Sequence, residues 1–189
     1  MKTLRFNTPN EWNNLPYNYL YTGMLDLLLT LKGTLSSPTP KTMIEIGSYM
    51  GESTMMFAAV GLFDTIHSIE PHSGSEEFNK LYGYSWEDVK KEYKINTRYF
   101  DNIIHHQDYS HNVVDMFEDN SIDFIYIDAE HTYESVKRDL ELYLPKLKRG
   151  GTIGGHDYHE VWPGVCNAID EKFTNITRFI DTSWICTPK

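Results

Sequence analysis

The sequence is poor in cysteine, poorer in basic than in acidic residues, and without long hydrophobic runs. Its 189 residues include 2 cysteines, Cys166 and Cys186, too few for the disulfide framework of a small secreted protein. With 17 Lys and Arg against 27 Asp and Glu, the net charge of −10 argues against binding to nucleic acid or anionic membranes. The N-terminus lacks the apolar stretch of a signal peptide, and the longest apolar run, residues 24–31, is far shorter than a bilayer span. These absences predict a soluble, cytoplasmic protein with neither nucleic acid nor membrane as a partner.

The length suits a single domain, at roughly 100–200 residues per domain. From about residue 41 onward, five short apolar segments alternate with helical segments, and two more strand-like segments, ITRFI and SWICT, close the chain. Apolar strands that alternate with helices are typical of a parallel sheet covered by helices on both faces. The sequence therefore predicts a doubly wound α/β fold, whose ligand should lie at the carboxyl ends of the strands.

Residues 1–40 precede this alternation and are predicted to form a helical segment. Its apolar residues recur on one helical stripe, at Leu20, Met24, Leu27, Leu28 and Leu31. The stripe could pack on its own domain or on a second copy of the chain, so the segment is interpreted as a lid or an oligomer contact. Residues 41–189 then form the domain that carries the ligand site.

Two glycines follow the first strand, in the segment EIGSYMGES. Gly47 permits a tight turn and the close approach of a ligand, and Gly51 stands where the next helix begins and presents free N–H groups. Their spacing is less dense than the Gly-x-Gly-x-x-Gly pattern of dinucleotide sites, which disfavours a nicotinamide cofactor. The alternative is an ordinary strand-to-helix turn.

Acidic residues follow the next two strands. Glu70 lies 23 residues after Gly47, close to the ~20-residue separation at which an acidic side chain can bind a ribose diol. Asp108 follows the third strand and could receive an adenine amino group. Both have simpler explanations, a solvated strand end for Glu70 and a cap on the following helix for Asp108.

Aspartate and histidine occur together after strands four and five. Asp128 ends the fourth strand with His131 three residues later, and His156 and Asp157 end the fifth. If these strands are neighbours, about 4.8 Å apart, both carboxylates face one crevice and repel unless a proton or a cation lies between them. Mg²⁺ or Ca²⁺ prefers oxygen ligands of this kind. The alternatives are helix caps, solvated loop acids and core histidines.

From residue 42 to the C-terminus, these motifs resemble the class I S-adenosylmethionine-dependent methyltransferases. MIEIGSYMGEST is similar to motif I of that family, and IHSIEP to its acidic ribose-binding strand end. The run from DFIYIDAEHTYESV to GGHDYHEVWPGV resembles the branch of small-molecule and sugar O-methyltransferases, some of which depend on a divalent cation. The resemblance implies a Rossmann-like, doubly wound sheet of seven strands, mostly parallel with an antiparallel C-terminal strand, and with helices on both faces.

The resemblance also implies how S-adenosylmethionine is bound. Glu70 would bind the ribose hydroxyls, and Asp108 would approach the adenine ring. The residues implied to line the methionine and sulfonium part are Glu45, Gly47, Ser48 and Gly51.

For catalysis, the resemblance implies that Asp128 is a metal ligand and His131 the general base. The sugar-methylating relatives have an acidic pair at the end of strand five. This chain has His156 and Asp157 there, so Asp157 alone matches. A site for Mg²⁺ or another divalent cation, formed by Asp128, Asp157 and His156, therefore stays an open question.

The predicted function is methyl transfer from S-adenosylmethionine to a hydroxyl of a small molecule or sugar, with or without a divalent cation. His131 would remove the hydroxyl proton, since the ordinary pKa of histidine is near ~6.5. The alternatives are a non-catalytic S-adenosylmethionine-binding protein and an NAD-dependent enzyme on a similar fold. The sequence indicates neither which acceptor is used nor whether the chain forms a homo-oligomer.

Overall fold

The computed structural model describes residues 18–35, 39–74 and 83–188, with side chains from residue 22 onward. Within these residues seven strands form one sheet: β1 (Thr42–Ile46), β2 (Thr65–Ile69), β3 (Ile103–His106), β4 (Ile122–Ile127), β5 (Leu147–Gly155), β6 (Thr177–Arg178) and β7 (Trp184–Cys186). The described α-helices are α1 (Asn18–Thr34), α2 (Glu52–Ala59), α3 (Trp86–Thr97), α4 (Ser110–Val113), α5 (Tyr133–Tyr143) and α6 (Pro163–Lys172). Residues 1–17 of the predicted N-terminal segment, and the side chain of Leu20, lie outside the described part.

The strand order is β3-β2-β1-β4-β5-β7-β6. The chain moves outward from β1 to β3, returns to the other side of β1 with β4, and moves outward again. All described pairings are parallel except those of β7, which runs antiparallel to both β5 and β6. This arrangement confirms the predicted doubly wound sheet with an antiparallel C-terminal strand, and it puts the topological switch point between β1 and β4.

Helices cover both faces of the sheet. Because successive side chains of a strand point to opposite faces, each strand contributes to the cores on both sides. On β4, Ile125 and Ile127 belong to a core with α5 and α6, whereas Phe124 and Tyr126 belong to a core with α1 and α2. The central strands β1 and β4 are therefore buried at nearly every position, as expected for strands covered on both faces, whereas β2 and β3 also carry histidines.

Helix α1 packs on the sheet of its own chain. Leu27 and Leu31 are 0% exposed and share a core cluster with Met43 of β1. The leucine stripe allowed packing on its own domain or on a second copy of the chain, and these contacts are with its own domain. Leu25 and Leu29 face outward on the same helix. Among the described helices, none has both the length and the apolar character needed to span a membrane.

The apolar residues of segment 132–147 recur at helical spacing and predict one helix, with the basic residues Lys146, Lys148 and Arg149 at its C-terminus, but the α-helix of the structure is shorter. The α-helix ends at Tyr143, continues as a 3₁₀ turn over Leu144–Lys146, and gives way to β5. Pro145 explains the change, because its ring and missing N–H are incompatible with the interior of an α-helix. Lys148 and Arg149 consequently belong to β5 and do not follow a helix C-terminus.

The register of the strands brings the predicted site residues to one edge of the sheet. Ile46 pairs with both Ile69 and Ile127, and Ile127 pairs with Gly155. The next residue along each of these four strands is therefore Gly47, Glu70, Asp128 or His156. The assumption that strands four and five are neighbours is correct.

Several histidines lie at the β2–β3 side of the sheet. His67 Nδ1 and His106 Nε2 are 2.9 Å apart, and both rings pack against Phe117. Burial, together with the neighbouring His106, lowers the pKa of His67 to about 4. Burial, together with the neighbouring His72, lowers the pKa of His105 to about 4. These rings are accommodated in their neutral form.

We expect His67 and His105 to lower the free energy of unfolding as the pH falls from 7 to 5, against the opposite contribution of Glu45 and Asp128, whose raised pKa values make the folded protein bind protons before the unfolded chain does. Above pH ~6.5 these histidines are neutral in both states, whereas below it the unfolded chain binds protons that the folded protein excludes, down to about pH 4. After discounting for partial exposure, the loss is on the order of 1–2 kcal/mol. Urea denaturation of the parent protein and of a variant without His67, at pH 7, 6 and 5, measures the histidine contribution to the free energy of unfolding.

The loss of stability caused by these histidines should be smaller in the variant His67→Gln, because the variant lacks one of the two rings that bind a proton in the unfolded chain only. His111→Gln, at an exposed position on α4, is the matched control. If the stability of His67→Gln depended on pH in the same way as that of the parent, the contribution assigned to His67 would be contradicted.

Candidate cofactor and catalytic site

Gly47 forms the turn at which the chain leaves β1. Its φ is +87°, and a Cβ added to it would lie 2.0 Å from the Asp128 carbonyl oxygen. The Gly47 N–H donates to the Ile69 carbonyl over 2.9 Å, so the turn stays attached to the end of β2. The backbone at the end of β4 therefore leaves no room for a side chain at residue 47, and the approach of a ligand to this turn stays a prediction.

Gly51 occupies the position just before α2, also in a left-handed conformation, with φ +76°. A Cβ there would lie 2.8 Å from the ring of Tyr93, a residue of α3. The Tyr93 hydroxyl donates to Ser68 Oγ over 2.8 Å. Tyr93 thus packs α3 against the turn. The sequence analysis did not identify Tyr93, because an aromatic residue inside an amphipathic helix carries no specific signal.

Glu45 and Ser48 lie beneath the turn, inside the protein. Glu45 is 0% exposed, and its Oε2 accepts a hydrogen bond from the Thr54 hydroxyl. Its Oε1 is buried without a hydrogen-bond partner among the described residues. Burial raises the pKa of Glu45 to about 7. Ser48 Oγ lies 2.5 Å from Ser68 Oγ. Glu45 therefore offers an unused acceptor next to the predicted cofactor turn.

Glu70 connects the turns that follow β1 and β2. Its Oε2 accepts the Tyr49 N–H and its Oε1 accepts the His72 N–H, each over 2.9 Å. Tyr49 and His72 both have left-handed backbones, with φ values of 43° and 50°. Glu70 is 6% exposed, and burial raises its pKa. It is therefore not the solvated strand end that the sequence also allowed, and each oxygen keeps capacity for a second hydrogen bond.

Asp108 lies after β3 and is exposed. Its Oδ1 accepts hydrogen bonds from the Tyr109 N–H over 2.7 Å and from Asn112 Nδ2 over 2.8 Å. These contacts hold the segment before α4, but the N-cap residue is Tyr109 and makes no side-chain cap hydrogen bond, so Asp108 is not the helix cap that the sequence also allowed. Asp108 is not in contact with the buried residues described above.

The loops after β4 and β5 form a compact group of ionisable side chains. His131 Nε2 lies 2.8 Å from Asp157 Oδ2, and His156 Nδ1 lies 3.3 Å from Asp157 Oδ1. Asp128, His131 and Asp157 each offer one ligand atom, and these atoms lie within 4.8 Å of one another. Among the described residues this is the group that could hold a metal ion. His156, which the sequence analysis included as a ligand, is outside it.

Burial and mutual interaction set the protonation of this group. Burial raises the pKa of Asp128 to about 6. Although burial works against the charge of Asp157, the hydrogen bonds from His131 and His156 lower its pKa. For both histidines burial is likewise outweighed by Asp157, so the pKa of His131 is raised and that of His156 reaches about 9. Asp157 is thus an anion that accepts hydrogen bonds from both rings, and the raised pKa of His156 favours its imidazolium form at neutral pH. Because Nε2 of His131 faces Asp157, Nδ1 is the ring nitrogen left for another partner.

The comparison with known families identifies the domain. A family model described as a methyltransferase domain matches residues 44–158, more than half of the chain. The matched segment runs from β1 through the loop after β5 and so contains the strand ends described above. The chain belongs to this methyltransferase family.

The relatives of this methyltransferase domain are distant. The mimivirus protein R132 of Acanthamoeba polyphaga mimivirus, which is uncharacterised, is 28% identical over 144 residues, covering 71% of this chain. The chain spans 60% of the length of R132 and 13% of the length of a second uncharacterised relative, from Sinorhizobium fredii.

Solved structures share the fold at low sequence identity. CalS11, a TDP-rhamnose 3'-O-methyltransferase of calicheamicin biosynthesis, superposes with a TM-score of 0.59 at 17% identity, covering 96% of this chain and 87% of CalS11. A protein from Corynebacterium glutamicum superposes with a TM-score of 0.61 at 16% identity, covering 94% of this chain and 84% of that protein. The predicted Rossmann-like class I fold and family are confirmed, and the NAD-dependent alternative loses its support.

Two further residues beside the candidate site escaped the sequence analysis. Asp181, in the turn before β7, is 3% exposed, and its charge adds to those of Asp128 and Asp157 in raising the pKa of His156. Gly164 lies at the start of α6, where a Cβ would be 2.5 Å from the His131 carbonyl oxygen. Neither follows a predicted strand end, so no sequence rule connected them with the site.

Proposed function

We propose that this methyltransferase domain transfers a methyl group from S-adenosylmethionine to a hydroxyl of a small molecule or sugar, with His131 as the general base. The observation that carries the proposal is the 2.8 Å pair of His131 and Asp157 at the sheet edge that also bears Gly47 and Glu70. A base oriented by a carboxylate is what an alcohol needs at neutral pH, because the alcohol is a weak nucleophile until its proton is removed.

The chain's own residues suit the proposed methyl donor. S-adenosylmethionine supplies an electrophilic methyl group on a positively charged sulfur. The unpartnered Oε1 of Glu45 could accept a hydrogen bond from its cationic methionine part, close to Ser48, Gly47 and Gly51. The remaining lone pairs of Glu70 could accept hydrogen bonds from the ribose hydroxyls, while Asp108 would approach adenine from the exposed side.

In the proposed step, Nδ1 of His131 takes the acceptor's hydroxyl proton while the oxygen forms its bond to the methyl carbon and the carbon–sulfur bond breaks. The sulfur keeps the electron pair of that bond, so the neutral thioether is released. Asp157 stabilises the imidazolium that forms. The main contribution of the protein is positioning, since the reacting atoms must lie in line.

A divalent cation is a second arrangement, favoured by the proximity of Asp128, His131 and Asp157. These residues would hold the ion, which would lower the pKa of the bound acceptor hydroxyl. His131 would then be a ligand, and its contact with Asp157 through Nε2 would be replaced. The mixed oxygen and nitrogen donor set suits Mn²⁺ or Zn²⁺ better than Mg²⁺.

Calorimetric titration with S-adenosylmethionine, S-adenosylhomocysteine and NAD tests the proposed donor. We expect the first two to bind and NAD not to bind. Transfer of labelled methyl groups to a panel of sugars and catechols, with and without EDTA, then separates an enzyme from a non-catalytic binding protein. Loss of transfer in EDTA would favour the metal-bound arrangement. Binding of NAD in place of S-adenosylmethionine would refute the proposal.

A further inference from the structure

A groove with both polar and apolar lining lies between α6, β6 and the loop that follows Asp157. Its volume is about 490 Å³, within the ~300–1,000 Å³ typical of small-molecule sites. The lining side chains on which the argument rests are Tyr158, His159, Cys166, Asn167, Asp170 and Arg178. The groove is therefore large enough for one or two sugar-sized rings.

The floor of the groove is held by three side chains from three different segments. Arg178 of β6 stacks over the Tyr158 ring, with Cζ 4.3 Å from the ring centroid, and its Nη2 donates to the Tyr158 hydroxyl oxygen over 3.0 Å. That hydroxyl donates in turn to Asp170 of α6. These bonds fix the orientation of the polar groups, which reduces the entropy lost on binding.

The groove and the catalytic group share one loop. Asp157 immediately precedes Tyr158, and its carbonyl oxygen accepts the His159 N–H over 2.8 Å. The same loop continues to Trp162, whose ring centroid lies 4.2 Å from that of His131. A ligand in the groove therefore contacts the loop that carries Asp157 and Trp162, two residues that contact the His131 ring.

The charges of the groove disfavour an anionic ligand. Its lining includes two carboxylates, those of Glu160 and Asp170, and one guanidinium, that of Arg178, which is already engaged with Tyr158. A phosphate or diphosphate would meet more negative than positive charge, in a chain whose net charge is −10.

The polarity of the groove disfavours a purely aromatic ligand. Asn167 and Asp170 are one turn apart on α6 and so present an amide and a carboxylate on the same side of the helix. The face of Tyr158 that could stack on a ligand ring is covered by Arg178. An apolar ring would remove water from these polar groups and offer no hydrogen bonds in its place, whereas adjacent hydroxyl groups would replace the hydrogen bonds to water.

We infer that this groove binds the methyl acceptor and that the acceptor is a ring with adjacent hydroxyl groups and no negative charge, as in a glycoside. The assignment as an acceptor site rests on the proposed function, whereas the binding itself does not.

NMR titration of the ¹⁵N-labelled full chain with methyl glycosides, and separately with catechol, tests the inference. The glycosides should shift the amide signals of residues 158–160 and 166–170 at millimolar concentration, and catechol should not. Asn167→Ala should weaken glycoside binding by roughly five- to ten-fold, the loss expected for one or two hydrogen bonds. Lys172→Ala, on the same helix but outside the groove lining, should bind like the parent protein.

Two results would overturn the inference: no shift in these segments with any glycoside, or equal affinity in Asn167→Ala and the parent. Calorimetry with S-adenosylmethionine keeps the two proposals distinguishable. Glycoside binding in the groove without S-adenosylmethionine binding would refute the proposed methyl transfer alone. S-adenosylmethionine-dependent transfer to catechol without glycoside binding would refute the groove assignment alone.

Discussion

Replacement of His131 by alanine is expected to slow methyl transfer by roughly 10²–10⁴-fold, the usual contribution of a general base. The proposed reaction needs a group that removes the acceptor proton, and His131 is held for that role by Asp157 at 2.8 Å. The affinity for S-adenosylmethionine should change little, because the residues proposed to bind it lie on β1 and on the segments that follow β1, β2 and β3. Steady-state kinetics and calorimetry on the same variant separate the two effects.

Added imidazole provides an internal control for this variant. If the lost function is proton removal, imidazole should restore part of the activity of His131→Ala and leave the parent protein unchanged. His111→Ala, at an exposed position on α4, should behave like the parent. Undiminished transfer by His131→Ala would remove the general-base assignment. An EDTA-sensitive parent combined with no rescue by imidazole would instead favour His131 as a metal ligand.

Replacement of Gly47 by alanine is expected to destabilise the fold by more than about 3 kcal/mol, through left-handed strain and a backbone collision together. Its φ of +87° is unfavourable for a residue with a Cβ, and that atom would lie 2.0 Å from the Asp128 carbonyl oxygen. Relief of the collision requires the ends of β1 and β4 to separate, which would also disturb the proposed cofactor turn. Urea denaturation measures the loss.

Gly61→Ala is the matched control for this substitution. Gly61 also has a positive φ, +63°, but an added Cβ there would meet nothing within 4 Å. Its cost should be about 1 kcal/mol, the left-handed strain alone. The difference between the two variants isolates the contact between β1 and β4, and equal stabilities would contradict that contact. Failure of Gly47→Ala to accumulate as folded protein, when Gly61→Ala does, would be the stronger form of the expected result.

The general architecture could be predicted from local patterns. Apolar segments such as TMIEI and IDFIYI, separated by helices of sufficient length, are compatible with few arrangements other than a parallel sheet, because buried strands must be covered on both faces. The rule that ligands lie at the carboxyl ends of such strands then directed attention to Gly47, Glu70, Asp128 and His131. The prediction of the parallel sheet and the prediction of the ligand site both depend on the hydrophobicity of short segments, which can be read directly from the sequence.

The contacts of those residues were decided by the tertiary structure. That Gly47 meets the backbone of Asp128, that Glu70 accepts two backbone N–H groups, and that His131 pairs with Asp157 all depend on the register of β1, β2, β4 and β5. Register follows from the packing of side chains across strands that are tens of residues apart in the chain, and no local periodicity records it. The same reason explains why the groove over Tyr158 and the buried Asp181 became apparent only in three dimensions.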